Sequence, residues 1–335
     1  MLRRVVPVSN VSADEALVIR PVSEVEVRSA LSLILAPGDR LATDKEVQEF
    51  LGVSNQRGID LSKLVAGVMG NRMLWAVLPM ETRGRTLQLL SPNHFFDAAQ
   101  PAAAGRVVEA ICAQYAQRGC QLAQVLVEPA SSPMRVLYGE HGFIEMAELK
   151  YLQATPRGGK PVPPLPPDFY FEHYSPQTHA LFAQAIVGSY QQSLDCPALA
   201  GLRDIEDVIQ GHRAAGGPTA EADFDGQLWR VLLQRQPAPL PPLPCGVMLL
   251  CRIDSHETIE LVYIGLAAPV RRRGLGAILL RHAMADTAAE GRRLSLAVDS
   301  RNTPALKLYY RHGFQKVGEK IAMIRDLRPP PGLPA

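Results

Sequence analysis

The sequence predicts an α/β chain built from two tandem copies of one fold, each a mixed, largely antiparallel central sheet flanked by helices (α+β in arrangement). Three observations predict it: an internal repeat, a proline-rich break between its copies, and apolar extended runs that alternate with helical patterns. In the repeat, Pro133-Met134-Arg135-Val136-Leu137-Tyr138-Gly139-Glu140-His141-Gly142-Phe143 lies over Pro304-Ala305-Leu306-Lys307-Leu308-Tyr309-Tyr310-Arg311-His312-Gly313-Phe314, with six of eleven positions identical at an offset of 171. The same offset sets Val127-Glu128 on Val298-Asp299 and residues 100–105 on residues 271–276. With one residue of slippage, Thr86-Leu87-Gln88-Leu89 lies over Thr258-Ile259-Glu260-Leu261. Matches kept in this order mark two copies of one unit.

The break is residues 155–168, which hold Gly158-Gly159 and six prolines. Such a stretch supports neither a helix nor a central strand, so it reads as a linker. The chain then divides into a first copy at 1–154, the linker, a second copy at 169–328, and a proline-rich tail at 329–335 expected to be disordered.

The second copy reads in order as a strand at Phe169–His173 and helices near 177–190 and 205–212. Strands follow at 228–233, 246–253 and Thr258–Leu266. Residues 236–244 are the loop of a long hairpin. A helix from Leu275 carries Ile278, Leu279 and Ala283 at core-facing spacing. A strand at 294–298, a helix at 304–312 and a strand near 318–324 complete it. The first copy echoes the central helix with Val108, Ile111, Cys112 and Tyr115.

Composition excludes several classes. A formal net charge of +2 gives no electrostatic footprint for nucleic acid. Five scattered cysteines without a CxxC pair fit neither a disulfide framework nor a zinc site, so no metal is expected. No apolar stretch reaches membrane-spanning length, and residues 1–12 lack the apolar core of a secretory signal. A cytoplasmic protein is the expectation.

Chemistry concentrates at Arg271-Arg272-Arg273-Gly274-Leu275-Gly276, between a strand and a helix. Uncommitted N–H groups at a helix start, with the positive end of the helix dipole, attract phosphate; glycines let a pyrophosphate approach the backbone. Read by themselves, the three arginines also fit a solvated surface run. A dinucleotide fingerprint fails, because Leu279 stands where its third glycine belongs and the preceding strands form a meander rather than a βαβ unit.

Together, Arg271-x-x-Gly274-x-Gly276, the strand before it, and Asn302-x-Pro304-Ala305-x-x-Leu308-Tyr309-x-x-x-Gly313-Phe314 resemble the GNAT superfamily of acyl-CoA-dependent N-acyltransferases. The chain is similar in layout to tandem GNAT proteins such as mycothiol synthases. The resemblance implies an acyltransferase, using acetyl-CoA as co-substrate and an amine acceptor, by direct attack in a ternary complex. It implies that main-chain amides of Arg271, Arg272, Arg273, Gly274, Leu275, Gly276 and Ala277 hold the pyrophosphate, with the side chains of Arg272, Arg273 and Arg281 screening it. It implies that Ile264, Gly265 and Leu266 pair with pantetheine where the strand splays at a bulge. Gly265 suits a bulge, a close approach of another backbone, or a strand end.

Tyr309 matches the family's general acid for the departing thiolate, and Glu260, eleven residues before Arg271, matches a glutamate base of some members. An aromatic packing residue and a solvent-exposed edge carboxylate are the plainer readings of the two. Asn302 fits a cofactor contact or a helix N-cap before Pro304. The first copy departs from the pattern: Ala103 replaces Gly274, Gln88 replaces Glu260 and Ser131 replaces Asn302. The second copy is therefore the expected catalytic one, and the first a scaffold or a weak CoA site. The acceptor side is expected to be shaped by residues 190–204, where Asp195, Cys196 and Arg203 stand out. The alternative function is a catalytically silent CoA-binding or interaction module.

Overall fold

The computed structural model describes residues 16–329 apart from 39, 159–160, 200, 216–223 and 255–256. The expectations for residues 1–12 and for the tail from residue 330 onward lie outside the described residues.

The first copy runs β1 (Leu17–Pro21), α1 (Val27–Ile34), α2 (Asp44–Gln56), β2 (Val65–Met69), β3 (Arg72–Thr82), β4 (Thr86–Leu90), α3 (Gln100–Gln117), β5 (Leu122–Val127), α4 (Ser132–Glu140) and β6 (Ile144–Ala154). The second repeats that order: β7 (Phe169–His173), α5 (His179–Tyr190), α6 (Ile205–Arg213), β8 (Trp229–Gln234), β9 (Leu243–Ile253), β10 (Thr258–Leu266), α7 (Leu275–Ala289), β11 (Arg293–Asp299), α8 (Thr303–Arg311) and β12 (Gln315–Asp326). β9 starts earlier than the sequence suggests, because Leu243 and Pro244 pair with Gln234 and Leu233 across a bulge. None of the described helices is long and apolar enough to cross a membrane.

Among the described residues, twelve strands form one sheet, in the order β1-β2-β3-β4-β5-β12-β6-β11-β10-β9-β8-β7. Pairing is antiparallel except for β4 with β5 and β10 with β11. Those two parallel pairs need a crossover, and α3 and α7 supply it. The last strands are exchanged between copies. β12 lies beside β5, with Ile321 opposite Val127, and β6 lies beside β11, with Lys150 opposite Val298. Each copy thus completes the other's sheet, and the splice β12–β6 joins them antiparallel at the centre.

Two large apolar cores follow the two copies. One gathers around Trp229, Phe182, Leu279 and Tyr309, the other around Trp75, Ile111, Val125 and Tyr138. The copies also touch away from the sheet. The β3–β4 turn of the first copy docks on α6 of the second, where the Arg85 guanidinium forks onto the Asp207 carboxylate, with Nε 2.9 Å from Oδ2. Gly84 belongs there because any Cβ would collide with the Asp207 carbonyl.

Candidate active site

β10 and β11 run side by side only over Thr258–Glu260. Beyond that, β11 stays with β6 as far as Asp299, and β10 stays with β9 as far as Leu266. The strands splay, and from Leu261 onward the main-chain groups of β10 on the β11 side lose their strand partner. The bulge sits at Val262, the residue without a partner between Leu261 and Tyr263, where extra twist starts the divergence. It is not at Gly265, which stays paired with Val247. Gly265 instead serves close approach: a Cβ there would lie 2.7 Å from Ser189 Oγ and 2.9 Å from Tyr263 Cε1. The missing side chain lets α5 settle against β10.

The splay opens a cleft of about 670 Å³, lined by β10, the end of β11, the α5–α6 loop, the 271–277 loop and α8. Ile264, Gly265, Leu266, Arg271, Arg272, Gly274, Gly276, Ala277, Asn302 and Tyr309 all line it. Arg272 (φ 64°) and Gly274 (φ 80°) are left-handed, a conformation that glycine adopts without cost. Nothing lies within 4 Å of a Cβ built on Gly274, so the loop faces open space. Leu275 and Gly276 start α7, where N–H groups have no intrahelical acceptor. The Ala277 amide is already committed to the Gly274 carbonyl at 3.1 Å.

The arginines divide. Arg271 spends its guanidinium on four carbonyls: Leu266 and Ser189 at 2.9 and 2.8 Å, Gln191 at 2.8 Å and Gln192 at 3.0 Å. It fastens the end of α5 and the loop after it to the end of β10, with four of its five N–H groups spent on main-chain carbonyls. Arg272 faces the cleft. The Arg273 guanidinium lies 5.3 Å from the Phe169 ring centroid, and the Leu275 side chain is in the core. Arg281 lines a separate depression of about 600 Å³ with Arg157 and Arg311.

Tyr309 is 5% exposed, packs on Phe314 at 5.6 Å and faces the cleft. Burial holds its phenol above the ordinary tyrosine value, and the nearby Asp195 carboxylate adds to that. Asn302 caps α8, accepting from the Ala305 N–H at 3.3 Å, and its side chain also hydrogen-bonds Asp195. Both readings of Asn302 are thus compatible with one geometry.

Glu260 is not among the residues lining this cleft. It sits where β10 and β11 still pair, and burial raises its carboxyl against the pull of Arg57 from the first copy. The carboxylate that lines the cleft is Asp195, accepting from the Asp299 N–H at 3.1 Å. Its carboxyl is raised, chiefly by burial. The sequence marked Asp195 only as polar; its place beside Tyr309 depends on a loop that spacing cannot fold. Burial pushes the Cys196 thiol up to about 12, which suits no nucleophile.

The corresponding place in the first copy is closed. α3 starts at Gln100, so residues 100–103 form its first turn while 271–274 remain a loop. Ala103 explains this: its Cβ opposes the left-handed conformation of Gly274, and an alanine run with Pro101 favours helix. The His141 imidazole sits on Gly105, where even a Cβ would collide with it. The Tyr138 hydroxyl is taken by Ser91 Oγ.

The mixed sheet with its splayed parallel pair is the fold of solved GCN5-related N-acetyltransferases. Residues 241–314 match the acetyltransferase (GNAT) family. A 5-NmdU N-acetyltransferase of Pseudomonas phage PaMx11 is 39% identical over 70 residues, 21% of this chain and 48% of that protein. The chain spans about half the length of that curated relative. A GCN5-related N-acetyltransferase from Sphaerobacter thermophilus has the same fold, with a TM-score of 0.59 at 17% identity over 93% of this chain and 96% of that one. The glucosamine N-acetyltransferase region of a fungal multi-domain β-N-acetylglucosaminidase gives 0.57 at 13% identity, over 95% of this chain and 39% of that one.

Proposed function

We propose that the protein is an acetyl-CoA-dependent N-acyltransferase whose one working site is the cleft of the second copy. The observation that carries this reading is the pairing of an open left-handed glycine loop with a buried tyrosine facing the same cleft. The match over residues 241–314 and the N-acetyltransferase name of the phage relative support acyl transfer to nitrogen.

The residues present fit acyl-CoA. The first-turn amides of α7 and the side chain of Arg272 suit the pyrophosphate. The unpaired edge of β10 from Leu261 to Leu266 suits the amides of pantetheine, as an added strand would. Bound there, acyl-CoA supplies an activated carbonyl and a thiolate leaving group. Tyr309, facing the cleft, would give its proton to that sulfur, beside apolar walls from Leu261, Leu296 and Val298. Direct attack by the amine in a ternary complex needs no covalent enzyme intermediate, in keeping with a protonated Cys196 thiol.

On this reading residues 169–328 carry the chemistry, 155–168 link the copies, and 1–154 are a scaffold that completes the sheet and braces α6. The test is thiol release from acetyl-CoA across a panel of primary amines, with the acetylated product identified by mass. Amine-dependent release is expected. Tight acetyl-CoA binding without release to any amine would support the silent binding module instead.

A further inference from the structure

Resting on that reading of the cleft, we propose that Asp195 is the proton acceptor for the incoming amine and the anchor for its ammonium, which makes the acceptor a cationic amine. Asp195 is the sole carboxylate among the described residues lining the cleft.

A second carboxylate lies beside it, and the contrast between the two is the main argument. Asp299 is fully buried and saturated. Arg301 forks onto it with Nε at 3.0 Å and a terminal nitrogen at 2.6 Å, and the N–H groups of Arg301 and Cys196 donate to it at 2.9 and 3.1 Å. Its charge is compensated and has no room for a ligand. Among the described residues, the Asp195 carboxylate receives the Asp299 N–H and the Asn302 side chain. No guanidinium or ammonium bonds it among the described residues. A half-buried carboxylate at a cleft wall, without a bonded cation, invites one from a ligand.

The surroundings agree. The groups facing Asp195 are Tyr190 at the end of α5, Tyr263 on β10, Tyr309 on α8, its neighbour Cys196, and the Asp299–Arg301 pair after β11. All but that compensated pair are neutral near pH 7. The basic side chains lining the cleft belong to the 271–277 loop and α8: Arg271, bonded to four carbonyls, and Arg272, Lys307 and Arg311. Burial raises the Asp195 carboxyl and so makes it a better base than an exposed aspartate.

The step balances as follows. Asp195 takes one proton from the docked ammonium. The freed lone pair on nitrogen forms the C–N bond to the acyl carbon, and the C–S bond breaks with its electron pair on sulfur. Tyr309 gives its proton to that sulfur and regains one from the second proton shed by the nitrogen. Asp195 later returns its proton to water.

The test uses the full chain with acetyl-CoA and three probe amines, butylamine, spermidine and lysine, read by thiol release across pH. Asp195→Asn keeps an acceptor oxygen for the Asp299 N–H, so the loop should hold. The expected result is a fall of roughly a hundredfold in kcat/KM for the amine. The KM for acetyl-CoA should change less than about twofold, and the acid limb of the pH profile should disappear. Glu260→Gln should keep both rate and limb. Undiminished transfer by Asp195→Asn, or a loss confined to Glu260→Gln, overturns the role of Asp195 while leaving acyl transfer standing. A wild-type protein that binds acetyl-CoA yet acylates none of the amines counts against both.

Discussion

The Tyr138 hydroxyl lies 2.6 Å from Ser91 Oγ, sealed in the first copy's core, whereas Tyr309, its counterpart by repeat, faces an open cleft. The two copies share a packing need at this position, and only the second adds access. Packing and catalysis are therefore separable by experiment. Tyr309→Phe should preserve stability and acetyl-CoA affinity while lowering turnover roughly a hundredfold. Tyr138→Phe should leave turnover unchanged. Equal steady-state rates for Tyr309→Phe and wild type would remove the phenol from the mechanism.

Gly265 should tolerate no side chain. Its Cβ would press on Ser189 and Tyr263, and overpacking of this kind costs about 1–3 kcal/mol. Urea unfolding of Gly265→Ala should show that loss, together with weaker acetyl-CoA binding as α5 is pushed from the cleft. Wild-type stability would mean that α5 shifts freely.

The first copy should support the acceptor side through Arg85 and Asp207. Asp207 is buried and Arg85 half-exposed, so Asp207→Ala should cost about 1–2 kcal/mol. Because α6 follows the loop that carries Asp195, the KM for the amine should rise while acetyl-CoA binding holds. A change in acetyl-CoA affinity alone would contradict this division.

Acid should destabilise the protein through His212. Its ring stacks on Tyr263 at 5.3 Å, its buried Nε2 has no partner, and burial pulls its pKa to about 4 from an ordinary 6.5. Above pH 6.5 both folded and unfolded chains hold it neutral, and its contribution is fully present. As pH falls below that, the unfolded chain binds a proton that the fold refuses, and stability drops by up to about 3 kcal/mol near pH 4. His212→Phe should flatten this part of the stability profile between pH 7 and 4.5. An unaltered slope would assign the acid sensitivity to other groups.

The order of elements was legible because the repeat and the apolar periods are local. The difference between the open loop at 271–274 and the helical turn at 100–103 was legible because Gly274 and Ala103 impose different backbone conformations at matching positions. Three things were not. The exchange of β6 and β12 is invisible because each copy has the same last strand, and sequence does not say which sheet it joins. The clamp made by the Arg271 side chain was not visible, because three of its four carbonyl partners come from residues 189–192, remote in sequence. Glu260 drew attention through its spacing of eleven residues before Arg271, whereas the cleft opens where the strands part, one residue after it.

The most direct measurement is a crystal structure of the full chain with acetyl-CoA. The predicted result is a single molecule per chain. Its pyrophosphate should lie on the amides of Leu275 and Gly276, and its acyl carbon between Asp195 and Tyr309, with nothing bound at residues 100–105. Acetyl-CoA at the first copy's helix, or a thioester remote from Tyr309, would contradict the account.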